Sequence, residues 1–270
     1  MMKFRHAAAA AGGLLVCASP AMGQEESEIY SADGSVGIAL GAIPDDPKLD
    51  EAPDKYLAVF EIDGDAIIGK SIRDPEAGEL GIQCWNRVVA LIPRKYREGV
   101  VQFNIEAGRR WAGRFGGDGK NDVGRKGYKF SIAKYAAAEE ENLSDATRPV
   151  TARRGTLDWT IVHEIGHYIC LKTDTIERFS RQFDAKPNMP VRREAPDDYP
   201  EDGSPVTEGG FVTSYAERTP GDEEVVETFT TFMTVDELPA NGSWAGRKIR
   251  FIGTVEGMAE LREHVQAVGD

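Results

Sequence analysis

The sequence predicts an α+β fold in which a small mixed sheet precedes a helical C-terminal half. Segments with the β-branched and aromatic content of strands fall between residues 56 and 135. Beyond residue 156, apolar residues recur at helical spacing instead. The 270 residues, less an N-terminal leader, suit one large domain or two small ones.

Residues 1–23, MMKFRHAAAAAGGLLVCASPAMG, place Lys3 and Arg5 before an apolar run and end in small residues. That is the layout of a secretory signal peptide, and the run from Ala7 to Ala18 is too short for a membrane span. A secreted or periplasmic protein with no membrane span is therefore expected. Residues 24–55 are rich in Asp, Pro, Gly and Ser and read as a flexible N-terminal arm, leaving 56–270 as the folded domain.

Within that domain YLAVFEI (56–62) reads as a strand. Pro75 to Leu91 puts Leu80, Cys84, Val88 and Leu91 on one helical stripe, which Pro93 ends. GVVQFNI (99–105) reads as a second strand. The turn-rich GGDGKNDVGRKG (116–127) lacks the alternating oxygen ligands and closing glutamate of a calcium loop, so it reads as a turn. GYKFSIAKY (127–135) follows as a third strand, with Tyr128, Phe130 and Ile132 alternating against Lys129, Ser131 and Ala133. Helices are expected from Thr156, as N-cap, to Leu171, over TIERFSRQF (175–183), over 221–235, and as one or two closing helices in 246–268. A Pro/Asp/Gly-rich loop occupies 184–210.

The formal charge is −13, and removal of residues 1–23 takes it to about −15. Such a surface repels nucleic acid and anionic membranes, so no nucleic-acid partner is expected. Cys84 and Cys170 remain after the leader. An oxidising compartment permits a disulfide between them, and two separately buried thiols fit the sequence equally well.

The chemistry concentrates in TIVHEIGHYIC (160–170). On a helix His163 and His167 lie about 40° apart around the axis and about 6 Å apart along it, so both imidazoles can reach one ion. Glu164 projects beside them, where it can act on a water rather than on the metal. From this composition HExxH arises by chance in roughly one chain in two hundred of this length. Two of the three histidines that follow the leader fall in the motif. Zn2+ is the cofactor this points to.

A hydrolytic zinc needs a third protein ligand and an open position. Cys170 lies about 7–8 Å along the helix axis from the midpoint of the histidines, too far for a short side chain. His264 reads as a surface or packing residue. Glu223 and Glu227, four apart on one helical face, can supply both a ligand and an acceptor for the imidazole's second N–H. Glu223 is the favoured ligand and Glu227 the outer acceptor, with Glu224 or Glu227 as alternative ligands. An acidic helix start would account for Asp222, Glu223 and Glu224 without any metal, but it explains Glu227 less well, among Val225, Val226 and Phe229.

HEIGHYI, then FVTSYAERTPGDEEVVETFTTFM, then KIRFI and ELREHV together resemble exported bacterial zincins of the HExxH-plus-Glu group, which includes the catalytic domain of anthrax lethal factor. The resemblance spans roughly residues 127–267. It implies a zincin-like metallopeptidase with an edge strand over an active-site helix and with zinc held by His163, His167 and Glu223. It further implies Glu164 as general base, Glu227 behind a ligand histidine, and Tyr215 as a hydroxyl near the scissile carbonyl. Ile165 replaces the usual Phe, and Val226 stands where a small residue is usual.

The expectation is thus an exported zinc endopeptidase acting on protein or peptide, with GYKFSIA as the edge strand that pairs with extended substrate. Hydrolysis of a non-protein amide, such as one in cell-wall material, and a non-catalytic binding protein of the same fold are the alternatives. Retention of Glu164 beside both histidines speaks against the last.

Overall fold

The computed structural model describes residues 40–109, 111–116, 121–140, 143–151, 153–183, 210–219, 221–239 and 243–268. The expected signal peptide, residues 24–39 of the arm and nearly all of the 184–210 loop lie outside them.

The fold is α+β, built on a five-stranded mixed sheet. Strands β1 (Tyr56–Asp63) and β2 (Ala66–Ile72) form an antiparallel hairpin. It turns at Gly64, whose φ of 65° suits a residue without Cβ. Helix α1 (Pro75–Leu91) follows, its N-terminus capped by the Asp74 side chain. Next come β3 (Val100–Glu106), the short β4 (Gly113–Gly116) and β5 (Tyr128–Ala133), and then the one-turn α2 (Lys134–Ala138). The spatial order is β2-β1-β3-β5-β4, with β3 and β5 parallel and the other neighbours antiparallel.

This order corrects one expectation. The GYKFSIA strand, β5, is not an edge: β3 flanks it on one side and β4 on the other. β4 is the edge, and it escapes the sequence pattern because GRFG is only four residues long with glycine at both ends.

One face of the sheet carries the aromatic core. Phe60, Phe103 and Phe130 stack across β1, β3 and β5 with centroids 6.1 and 5.4 Å apart, and Trp85 of α1 packs on Phe103 at 5.6 Å. Phe115 of β4 pairs in register with Phe130, so it projects to the same side and meets Tyr168 of helix α3 (Leu157–Lys172). Helices α1 and α3 therefore share one face.

The arm also departs from expectation over residues 40–55. Leu49 is wholly buried in a cluster with Ala52, Tyr56, Val59, Val101 and Val123. Asp46 N and Pro44 O bond the backbone of Lys70 on β2, and the Arg73 guanidinium donates to the carbonyls of Asp50, Ala52, Pro53 and Tyr56. A composition rich in Asp, Pro, Gly and Ser looked loose, but buried Leu49 and the hydrogen bonds to Lys70 and Arg73 fasten this stretch.

The helical half continues with α4 (Thr175–Phe183), α5 (Ser214–Arg218), α6 (Asp222–Thr234), α7 (Trp244–Ile252) and α8 (Met258–Ala267). Helix α6 is its centre: every residue from Glu224 to Thr234 is buried. Its threonines tolerate this because Thr228, Thr230, Thr231 and Thr234 each donate to the carbonyl four residues back, at 2.7–2.9 Å. Cys84 and Cys170 are free, fully buried thiols, which resolves the disulfide alternative against a bridge. No helix among the described residues is long and apolar enough to cross a membrane.

Candidate metal centre

Helix α3 is fixed at its start before it presents any chemistry. Thr156 caps it through Trp159 N, and Asp158 is fully buried, accepting a two-pronged contact from Arg87 of α1 at 2.9 and 2.8 Å. Arg148 and the Thr151 amide complete the partners of that carboxylate. A buried charge so fully paired costs less to desolvate and holds the helix against α1. Ile161, Val162, Ile165 and Ile169 are all buried behind the motif.

Helix α6 crosses α3 at Gly166. A Cβ built there would lie 2.8 Å from Phe229 Cδ1 and 3.2 Å from Val226 Cγ1. That close approach is what receives the branched side chain of Val226.

The crossing brings His163, His167 and Glu223 together, with one ligand atom from each lying within 4.8 Å of the others. Glu223 Oε2 is 3.2 Å from His163 Nε2 and 3.6 Å from His167 Nε2. Ligands about 2.0–2.1 Å from a tetrahedral zinc stand about 3.3 Å from one another, so the separations fit a shared cation. Glu223 Oε2 is also a buried oxygen that accepts no well-aligned hydrogen bond: His163 Nε2, 3.2 Å away, answers it by charge and proximity, a contact that a shared cation would replace. The two imidazole rings stand nearly perpendicular, at 84°, with centroids 5.1 Å apart.

Behind them, Glu227 is 1% exposed and places Oε1 3.0 Å from His163 Nδ1. That nitrogen makes no well-aligned hydrogen bond, so the contact is one of charge and proximity more than of linear N–H···O geometry. Glu224 turns the other way. Its carboxylate pairs with the buried Lys248 of α7 at 2.5 Å, and Lys248 also donates to Gly210 O at 2.7 Å. Of the three glutamates weighed as ligands, the fold brings Glu223 to the histidines, sets Glu227 behind one of them, and commits Glu224 elsewhere.

Glu164 lies beneath the edge strand. The Phe115 amide of β4 is close enough to favour its charged form, and a Cβ on Gly113 would stand 2.7 Å from Glu164 Cγ. Burial pushes Glu164 up to about 7, with Glu223 adding to the rise while His163 and the Phe115 amide oppose it. His163 moves up to about 10: burial works against its charge, but Glu223 and Glu227 outweigh it. Burial and the neighbouring His163 move His167 down to about 4.

Tyr215 sits on α5 with its ring 6.2 Å from that of His163. Burial, then Glu223 and Glu227, raise its phenol to about 12, so it holds its proton. His264 is exposed and contacts Ala90 O at 3.0 Å, on α8 and outside this group.

Three contributors were not read from the sequence: Gly113, Thr213 and Arg154. Thr213 could have been found, since Thr before SYAER is a helix-start signal, and it does cap α5 through Ala216 N. Arg154 lies in the turn before α3, and no pattern links it to residues sixty positions away.

Compared with known proteins, the chain matches no protein-family model, no curated protein and no solved structure.

Proposed function

We propose that this chain is a zinc-dependent endopeptidase of zincin-like architecture, in which His163, His167 and Glu223 hold the ion. The observation that carries the reading is the convergence of those three side chains around a buried carboxylate oxygen that accepts no well-aligned hydrogen bond, with Glu164 alongside and outside the ligand set. A zinc ion held there would supply Lewis acidity toward a carbonyl and would acidify a coordinated water.

The protein's own groups account for the remaining requirements. Glu164, packed beneath β4, is placed to accept a proton and later pass it to a leaving amine. Tyr215 keeps its phenolic proton and can donate a hydrogen bond to a carbonyl oxygen bearing developing charge. Glu227 places a buried negative charge 3.0 Å from His163 Nδ1, which favours a proton on that nitrogen and leaves Nε2 to face the ion.

Peptide is favoured over other amides by β4. Its outer edge pairs with no strand among the described residues, and it lies directly over Glu164. An extended backbone added there would bond through main-chain groups and bring its carbonyls past the carboxylate.

Digestion of denatured casein and of a peptidoglycan preparation, each by the zinc-loaded protein and by Glu164→Ala, tests this. Casein cleavage lost in the variant supports the reading. Peptidoglycan cleavage alone would move the substrate class to cell-wall amides, and cleavage undiminished in Glu164→Ala would remove the mechanism.

A further inference from the structure

Glu227 has two carboxylate oxygens with different occupations. Oε1 faces His163 Nδ1. Oε2 accepts from Thr213 Oγ1 at 2.6 Å and lies 3.5 Å from Arg154 Nε. A carboxylate free on one side can rotate about its last bond and lose its aim. With Oε2 held by a hydroxyl and a guanidinium from two other segments, Oε1 has one direction left, and it points at the imidazole.

The same two residues also reach Tyr215. Thr213 Oγ1 accepts from Ala216 N and so caps α5, the helix that carries Tyr215 two residues on. The Arg154 guanidinium stacks 4.9 Å over the Tyr215 ring, while the His163 ring approaches the same tyrosine at 6.2 Å. One hydroxyl and one guanidinium thus tie the imidazole, its supporting carboxylate and the phenol into a single unit.

We infer that Thr213 and Arg154 are positioning residues of the metal centre, which act through Glu227 to orient His163 and which set Tyr215 in the same arrangement. The inference rests on the reading of His163, His167 and Glu223 as a metal site. It assigns to both residues a share of metal affinity, although neither belongs to the ligand set. The hydroxyl is the essential group of Thr213, because Val has nearly the same shape and cannot donate.

The test is zinc affinity, read by competition with a chromophoric chelator, for the wild-type chain, Thr213→Val, Thr213→Ser and Arg154→Met. Removing an outer partner of a metal ligand weakens metal binding about 10–100-fold, and one contact further out the low end of that range is expected. Thr213→Val should therefore bind zinc about tenfold more weakly. Thr213→Ser, which keeps the donor and the cap, should restore wild-type affinity, a rescue that a purely packing role does not explain. Arg154→Met keeps aliphatic contact with Tyr215 and should weaken zinc by several-fold. Its side chain is 32% exposed, so this variant carries the test even where Thr213→Val fails to fold. Wild-type affinity in Thr213→Val or Arg154→Met, when the wild type binds zinc, overturns the inference and leaves the metal site standing. A wild-type chain that binds no zinc overturns the site itself, and the inference with it.

Discussion

Gly113 on β4 and Glu164 on α3 approach so closely that a methyl group on the glycine would sit 2.7 Å from Glu164 Cγ and 2.6 Å from Thr160 Cγ2. The edge of the sheet and the carboxylate beside the histidines are thus one packed unit. The glycine permits the contact because it carries no Cβ. Gly113→Ala should displace Glu164 while leaving the two histidines and Glu223 where they are. Misplacing a reacting group by about 1 Å costs on the order of a hundredfold in rate. The expected outcome is a protein that binds zinc as tightly as wild type but hydrolyses casein about 10–100-fold more slowly. Unchanged turnover in this variant would show that Glu164 has room to move and that β4 does not control it.

Gly166 makes the matching contact on the opposite side of α3. Replacing it by alanine improves helix propensity by about 1 kcal/mol, but the added methyl must share space with Phe229 and Val226. Overpacking a buried contact costs about 1–3 kcal/mol, so the net effect should be destabilising by up to about 2 kcal/mol. Because α6 carries Glu223, its retreat should also widen the separation of the ligand atoms. Urea denaturation with zinc removed measures the first effect and chelator competition the second. Gly166→Ala should fail on both counts, whereas Gly113→Ala should leave metal affinity intact.

The sequence made some of this visible and hid the rest for identifiable reasons. Pro75–Leu91 came out with its observed boundaries because its apolar residues fall on one stripe and Pro93 marks its end. The motif helix was legible from its cap and its apolar surround, and Glu223 from its spacing to Glu227. Strand β4 was not legible, because four residues with terminal glycines carry no alternation, and its absence made β5 look like an edge. The fate of Glu224 depends on Lys248, twenty-four positions away, and such a pairing leaves no local trace. The folded stretch of the arm was hidden because its anchor, Arg73, belongs to another element.

That arm gives a prediction independent of any metal. Leu49 is completely buried, and truncating a buried leucine to alanine costs about 2–5 kcal/mol. Leu49→Ala should therefore lower the urea midpoint of the zinc-free protein substantially, and Arg73→Met should do so as well by freeing several carbonyls. A chain truncated before Tyr56 should be less stable than either. Equal stability of the truncated and complete chains would return residues 40–55 to the status of a loose arm.

The two adjacent glutamates at the start of α6 should behave as opposites. Glu223 has a buried carboxylate oxygen that accepts no well-aligned hydrogen bond and lies 3.2 Å from His163, whereas Glu224 is paired with Lys248 at 3% and 4% exposure respectively. Glu223→Gln removes the anionic ligand and should abolish tight zinc binding. In the zinc-free protein it should cost some stability, since Glu223 is one of the two carboxylates that hold a charge on His163 against burial. Glu224→Gln leaves a buried ammonium short of its counter-charge, and breaking a buried pair in that way costs about 3–5 kcal/mol. His163, His167 and Glu223 are untouched in this variant, so whatever fraction folds should bind zinc with wild-type affinity. Zinc at a hundred times its dissociation constant stabilises a folded protein by about 2.7 kcal/mol, so melting curves with and without metal separate the two variants in one experiment. Wild type and Glu224→Gln should both gain from zinc, the latter from a lower baseline, and Glu223→Gln should gain nothing. If Glu224→Gln lost the zinc response and Glu223→Gln kept it, the third ligand would have to be reassigned.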